Sequence, residues 1–97
     1  MEKLEWRTEK RRIADLVPLE INPRKITAEK KLKLIESLSK FNIVEIPAIN
    51  ADDTLLSFHQ RLQVLVLIGR GDELIDVRVP NRMLNEQEVK EYNIISN

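Results

Sequence analysis

The segment from Leu55 to Gly69 constrains the fold of this chain more than any other. It begins with a short apolar run, continues through a polar turn that contains the chain's only histidine, His59, and ends in an almost wholly apolar stretch before Gly69. Such a stretch predicts a buried helix, and Gly69 suits the left-handed position just beyond a helix end. We therefore predict a strand, a turn and a helix, with the rest of the chain packed around the turn.

A polar turn at the start of a buried helix is a place where an anion binds. The first N–H groups of a helix lack partners and carry the positive end of its dipole. Arg61 can add a bidentate contact to phosphate, and His59 can donate a hydrogen bond or become charged. The alternative is that both side chains only cap the helix and pair with Glu45, Asp52 or Asp53. The residues alone leave both interpretations open.

Length and composition indicate one globular domain. The chain has 97 residues, of which 42% are hydrophobic and 33% are charged, as in an ordinary folded protein. It has no cysteine, which excludes disulfides, thiolate metal sites and a thiol nucleophile. No apolar run approaches the ~20 residues that span a membrane. The charged N-terminus lacks an apolar signal core, so we predict a cytoplasmic protein.

The net charge is zero but is unevenly distributed. Residues 1–42 carry 11 Lys or Arg and 7 Asp or Glu, a net charge of +4, whereas residues 43–97 carry 5 and 9, a net charge of −4. This asymmetry favours an anionic partner near the N-terminal half. Ordinary charged helix surfaces explain it equally well.

In the N-terminal half, we predict an arm over residues 1–9, either loose or held by Trp6, and one domain over residues 10–97. Arg11–Pro18 has the composition of a strand that runs into a turn. Thr27 is a typical N-cap for an amphipathic helix that runs to about Phe41 and ends at Asn42. Its predicted apolar side contains Ala28, Leu32, Leu34, Ile35, Leu38 and Phe41.

In the C-terminal half, Val44–Ile49 and Leu55–Phe58 are predicted to form a hairpin, with Pro47 at a sheet edge or beside a bulge. The acidic pair Asp52-Asp53 lies in its turn, where Asp is common. Ile75–Pro80 alternates apolar and polar residues, which is typical of a half-buried strand.

The last predicted helix, Glu86–Tyr92, starts with the best local signature in the chain. Asn85 and Glu88 have capping-box spacing, and Leu84 with Val89 can form the hydrophobic staple around it. Ile94 and Ile95 follow with little chain left to bury them. We expect either a domain cut from a longer protein beyond residue 97 or a tail that packs on a partner.

The order of these segments resembles the ParB N-terminal / sulfiredoxin-like superfamily, also called the ParB-like nuclease domain, in its phage or mobile-element type. The resemblance runs from about residue 10 to residue 92. Two motifs carry it most specifically. The first is the loop Asn22-Pro23-Arg24. The second is a Gly-x-x-Arg turn, which this chain has as Phe58-His59-Gln60-Arg61.

The resemblance implies an α+β fold with a small mixed β-sheet and packed helices. It also implies that Arg61 and the turn's backbone N–H groups hold phosphates, with Arg24 in the same pocket. Family members include partition proteins that bind CTP and DNA, and sulfiredoxins that use ATP and a cysteine. The implied ligand is therefore CTP or ATP with Mg²⁺. The full candidate set of ligand-binding residues is Asn22, Arg24, Ser57, His59, Gln60 and Arg61.

This chain departs from the family pattern at three points. It lacks the cysteine of sulfiredoxins, which excludes that activity. Phe58 replaces the family glycine, and its side chain can either block the phosphate turn or point into the core. The second triphosphate-binding segment of the partition proteins has no counterpart that we can identify.

We therefore expect a nucleotide- or phosphate-binding regulatory module of a DNA-associated protein, with DNA bound through the full-length protein. The alternative is a degenerate family member that serves in docking to a C-terminal module or in homodimerisation. A metal-dependent nuclease is the third interpretation, but turn formation explains Asp52-Asp53 and His59 has no metal-binding partners. We predict no catalytic residue, no metal site and no membrane contact.

Overall fold

The elements of the fold follow from a computed structural model that describes residues 3–19 and 26–96. In chain order they are strand β1 (Trp6–Arg12), a short 3-10 helix (Ile13–Asp15), helix α1 (Ala28–Phe41), helix α2 (His59–Leu67), strand β2 (Leu74–Pro80) and helix α3 (Glu86–Ser96). Asn22 and Arg24 lie outside the described residues. No helix in the described ranges is long and apolar enough to cross a membrane.

Strands β1 and β2 form an antiparallel pair, with Trp6 opposite Pro80 at one end and Arg12 opposite Leu74 at the other. Residues 6–9, which the sequence assigned to an arm, therefore belong to the sheet. The Trp6 ring also lies against the Tyr92 ring, with the centroids 6.2 Å apart and the planes tilted by 37°. The segment is thus held both by the ladder and by α3.

The predicted strand over Arg11–Pro18 ends early, at Arg12. The N–H groups of Ile13 and Ala14 donate to the carbonyls of Glu73 and Gly71, at 3.0 and 2.8 Å. These bonds curl the chain into the 3-10 helix. As a result Ile13 and Leu16, three residues apart, both enter the core. A strand would have placed them on opposite faces.

Both predicted caps of α1 are confirmed. The Thr27 hydroxyl oxygen accepts a hydrogen bond from the Lys30 N–H at 3.1 Å. At the other end Asn42 has a φ of 61°, and its N–H donates to the Leu38 carbonyl. These contacts fix where the helix starts and stops.

The buried face of α1 is narrower than predicted. Leu38 is buried, and Leu34 and Ile35 pack against the same core cluster. Ala28, Leu32 and Phe41 were also predicted on the apolar side, but all three are exposed. The i, i+4 spacing of Leu34 and Leu38 defines the buried stripe. Leu32 lies on the opposite side of the helix, whereas Phe41 lies on the face of the stripe but is the last residue of the helix.

The predicted hairpin is reduced to single bridges. Ile49 bridges Leu55 in the antiparallel sense, and Ala48 bridges Arg78 of β2 in the parallel sense. The Asn50 N–H donates to the Thr54 carbonyl across the turn, at 2.8 Å. Parallel and antiparallel pairing thus occur together, and the predicted α+β fold with a small mixed sheet and packed helices is confirmed.

Helix α3 begins with the predicted capping box. The Glu88 N–H donates to the Asn85 side-chain oxygen at 2.9 Å, and the Asn85 N–H donates to the Glu88 carboxylate at 3.1 Å. Leu84 and Val89 are buried in one cluster, as a hydrophobic staple requires. The helix runs beyond the predicted end at Tyr92, and Ile94 and Ile95 remain exposed.

The core has two clusters. The larger lies among α1, α2 and the sheet and includes Ile13, Leu65 and Val77, whereas the smaller lies under α3 and includes Leu56 and Leu84. Burying a side chain of this size contributes about 1.5–3 kcal/mol. The larger cluster anchors α2 and thereby positions the turn before it.

Candidate anion site at the start of helix α2

The turn that precedes α2 has a left-handed backbone at Phe58, with a φ of 78° and a ψ of 14°. Glycine adopts this conformation freely. In a residue with a side chain it costs roughly 1–2 kcal/mol, because the Cβ approaches the next carbonyl. Phe58 therefore has the backbone conformation expected of the glycine in the Gly-x-x-Arg turn.

The side chain of Phe58 turns inward. It is half-buried and packs against the larger core cluster. Of the two orientations considered from the sequence, blocking the phosphate turn or pointing into the core, the ring therefore has the second. Its burial offsets the backbone strain. The guanidinium carbon of Arg61 lies 6.0 Å from the ring centroid, at the outer limit of a cation–π contact.

The first backbone donors of α2 are unpaired. The Leu62 N–H makes the first intrahelical bond, to the Phe58 carbonyl at 2.9 Å. The N-cap residue, Phe58, makes no side-chain cap hydrogen bond. The N–H groups of His59, Gln60 and Arg61 consequently have no partner among the described residues. Three free N–H donors at the positive end of a helix dipole are a common type of anion-binding site in proteins.

Arg61 is held by a weak ion pair beside this helix start. Its Nη1 lies 3.4 Å from Glu45 Oε1, and both side chains are substantially exposed. Exposed pairs contribute about 0–1 kcal/mol, so an anion can compete with Glu45. Pairing with Glu45 was one of the alternatives predicted from the sequence. The other acids point elsewhere: Asp53 pairs with Arg11, and Asp52 accepts from the Thr54 N–H in the turn.

Ser57 and His59 are engaged in internal hydrogen bonds. The Ala48 N–H donates to the Ser57 hydroxyl at 3.1 Å, and the Leu19 N–H donates to His59 Nε2 at 3.4 Å. Burial lowers the pKa of His59, and a hydrogen bond with the Leu55 backbone opposes this in part. His59 is thus a neutral acceptor that ties α2 to Leu19. The sequence carried no signal for either backbone partner, because both bonds depend on the tertiary fold.

Gln60 is half-buried, and its side chain makes no hydrogen bond within residues 3–19 and 26–96. The structure therefore brings Ser57, His59, Gln60 and Arg61 together at one turn. In the same part of the chain, no three His, Cys, Asp or Glu side chains are grouped so that they could hold a metal ion. A metal-dependent nuclease has no ligand set among these residues.

The fold matches a solved Pnob8-like ParB-N domain, determined in a C2221 crystal form, with a TM-score of 0.70 and 16% sequence identity. The match covers 95% of this chain and 36% of that chain, so this chain spans about a third of the protein it matches. No protein-family model matches the sequence, and neither does any curated protein. The predicted ParB-like fold is confirmed, while the phage or mobile-element type stays a prediction.

Proposed function

We propose that this chain, which has the ParB-N fold, is a phosphate-binding regulatory module of a longer DNA-associated protein, and that a nucleoside triphosphate is its ligand. One observation carries the proposal. Phe58 keeps a left-handed backbone in front of α2, and the first N–H groups of the helix, beside Arg61, have no partner among residues 3–19 and 26–96. A strained backbone at such a position is typical of functional sites.

The chemistry of binding uses the backbone first. Phosphate oxygens accept hydrogen bonds from the N–H groups of residues 59–61. Arg61 exchanges Glu45 for the phosphate and makes charge-assisted bonds, which are stronger than neutral ones. CTP and ATP bring Mg²⁺ on their own phosphates, and this chain's contribution is to bind and orient the phosphate groups.

The test is calorimetric titration of the chain with CTP, ATP and GTP in the presence of Mg²⁺. We expect saturable binding of at least one nucleotide. Arg61→Ala should abolish it, whereas Glu45→Gln should tighten it by removing the competing carboxylate. Arg78→Ala is the matched control, because the Arg78 side chain is also exposed and, among the described residues, donates only to the Thr8 hydroxyl. It should bind like the native chain.

Two results would overturn the proposal. One is the absence of heat with all three nucleotides at millimolar concentration. The other is binding that Arg61→Ala leaves unchanged, since the phosphate would then lie elsewhere.

A second candidate function is homodimerisation, favoured by the exposure of Ile94 and Ile95, 76% and 84%, at the end of α3. Sedimentation velocity over rising concentration tests it. A concentration-dependent shift that disappears when both isoleucines are replaced by Asp would support this function. A constant monomeric sedimentation coefficient would exclude it.

A further inference from the structure

Strand β2 has two edges, and only one is fully paired. β1 occupies one edge along its whole length. On the other edge the pairing is confined to Arg78, whose N–H donates to the Pro47 carbonyl at 2.9 Å and whose carbonyl accepts from the Ile49 N–H at 3.0 Å. This is the pattern of one rung of a parallel ladder.

The backbone groups of Asp76 and Leu74 face the same open edge. Backbone polar groups alternate in direction along a strand, so residues 74 and 76 point to the same side as Arg78, away from β1. Residues 43–46 run beside them but make no hydrogen bond to either residue. Two N–H groups and two carbonyls of β2 are therefore left without a strand partner in this described part of the chain.

Pro47 explains why the ladder stops. The next parallel rung would join the N–H of residue 47 to the Asp76 carbonyl. Proline has no N–H and so cannot make this bond. The segment before it diverges from β2, and a groove of about 330 Å³ opens between residues 43–46 and Leu74–Asp76. This volume lies within the range of protein ligand sites.

The walls of the groove are partly aliphatic and slightly acidic. Val44 and Leu74 are 77% and 66% exposed. Two ion pairs neutralise most of the charge, Lys10 with Asp76 and Arg70 with Glu73, each at 2.6 Å. The remaining charge in the groove is the carboxylate of Glu45, whose partner Arg61 is 3.4 Å away.

We propose that this groove binds an extended peptide segment of another protein, which adds as a strand to the open edge of β2. The unpaired main-chain groups demand a partner with an extended backbone. Val44 and Leu74 favour an aliphatic side chain on that segment. The negative charge of Glu45 favours a Lys or Arg next to this aliphatic residue in the segment. This site does not use the N–H groups at the start of α2, although it shares Glu45, the ion-pair partner of Arg61, with the proposed phosphate site.

The first experiment uses the native chain and a short peptide of alternating valine and threonine with a lysine at each end. We expect saturable binding by calorimetry and slower hydrogen exchange of the Asp76 amide by NMR. The control peptide has the same sequence with every backbone nitrogen methylated, so its backbone cannot donate hydrogen bonds. It should not bind. Equal binding of both peptides, or self-association of the chain in place of peptide binding, would overturn the proposal.

The second experiment closes the groove from within. Pro47→Val supplies the missing N–H, so the ladder can extend to Asp76, and peptide affinity should fall by about tenfold or more, which corresponds to roughly 1.4 kcal/mol. Pro80→Val is the matched control, since Pro80 is also buried in β2 but lies away from the groove. It should keep the affinity. Unchanged binding in Pro47→Val contradicts the mechanism, and if that variant does not fold, the methylated peptide decides.

Discussion

At the residue scale, Phe58 shows how one side chain can occupy a position suited to glycine. Asn42 and Asp53 also have positive φ values, but their short polar side chains tolerate this conformation. Phe58 has no such polar side chain. Its ring stabilises the fold by packing on the core, whereas its left-handed backbone destabilises the fold.

We predict that Phe58→Gly is more stable than Phe58→Ala by about 1 kcal/mol. At positions with a negative φ the alanine variant is usually the more stable of the two. Both variants lose the ring, but only glycine relieves the left-handed backbone. Urea denaturation of the two proteins measures the difference. If the alanine variant were equally stable or more stable, the turn would not impose a positive φ.

His59 predicts a pH dependence of stability. Burial, the larger cause, lowers its pKa from 6.5 in the folded chain, so the unfolded state binds the proton more readily. Stability is therefore full above the unfolded-state pKa of 6.5 and decreases as the pH falls below it. Protonation also removes the acceptor of the Leu19 N–H.

The measurement is urea denaturation at pH values about one unit above and one unit below 6.5, for the native chain and for His59→Gln. The native chain should lose more stability between the two pH values than the variant, which cannot titrate at this position. Parallel losses would show that the imidazole does not contribute.

At the scale of elements, helix boundaries depend on short-range contacts. The caps at Thr27 and Asn85 use side chains, and the cap at Asn42 uses its backbone N–H; each lies within four residues of the group it satisfies. In the last of them, Arg82 first and the Asn85 N–H second lower the pKa of Glu88 to about 2. Glu88 thus keeps its charge in the folded chain until the pH falls to about 2, and the stability that this charge contributes decreases as the pH falls from about 4.5 towards that value.

We predict that Asn85→Ala destabilises the chain by about 1 kcal/mol, because the Glu88 N–H loses its acceptor at the start of α3. Thermal or urea denaturation measures the loss. Gln87→Ala is the control in the same turn. It removes only an exposed bond to Glu91, so it should cost a few tenths of a kcal/mol. Equal effects of the two changes would contradict the capping role.

At the scale of the whole molecule, Asn50 connects the turn after Ile49 with the start of α3. The residue is 2% exposed. Its side-chain oxygen accepts from the Leu84 N–H at 2.8 Å, and its side-chain N–H donates to the Leu84 carbonyl at 3.1 Å. Because Ile49 belongs to the larger core cluster and Leu84 to the smaller, these bonds hold the two clusters together.

We predict that Asn50→Ala destabilises the chain by about 2–3 kcal/mol, since both polar groups of Leu84 are left buried without a partner. Asn81→Ala is the matched control. Asn81 also bonds two backbone groups, the Glu5 N–H and the Lys3 carbonyl, but it is exposed, so water replaces the lost bonds. Urea denaturation should show the smaller loss for Asn81→Ala, and equal losses would refute the argument.

The sequence alone determined the features that depend on neighbours along the chain. These are the caps of α1 and α3, the glycine after α2 and strand β2, because propensity, periodicity and capping act over a few residues. The resemblance extended this to the α+β class and the ParB-like fold. It also identified the turn at residues 58–61, but could not say whether Phe58 would block it.

Only the tertiary structure decided the features that depend on residues distant in sequence. β1 extends back to Trp6 because Pro80, 74 residues away, lies opposite it. Phe58 turns inward because the core leaves room for its ring, and Arg61 meets Glu45 only once α2 is packed. Pro47 signalled a sheet edge, but the open edge at Leu74–Asp76 appears only when β2 lies beside it. Contacts across long loops arise from the packing of the whole chain, which no local pattern encodes.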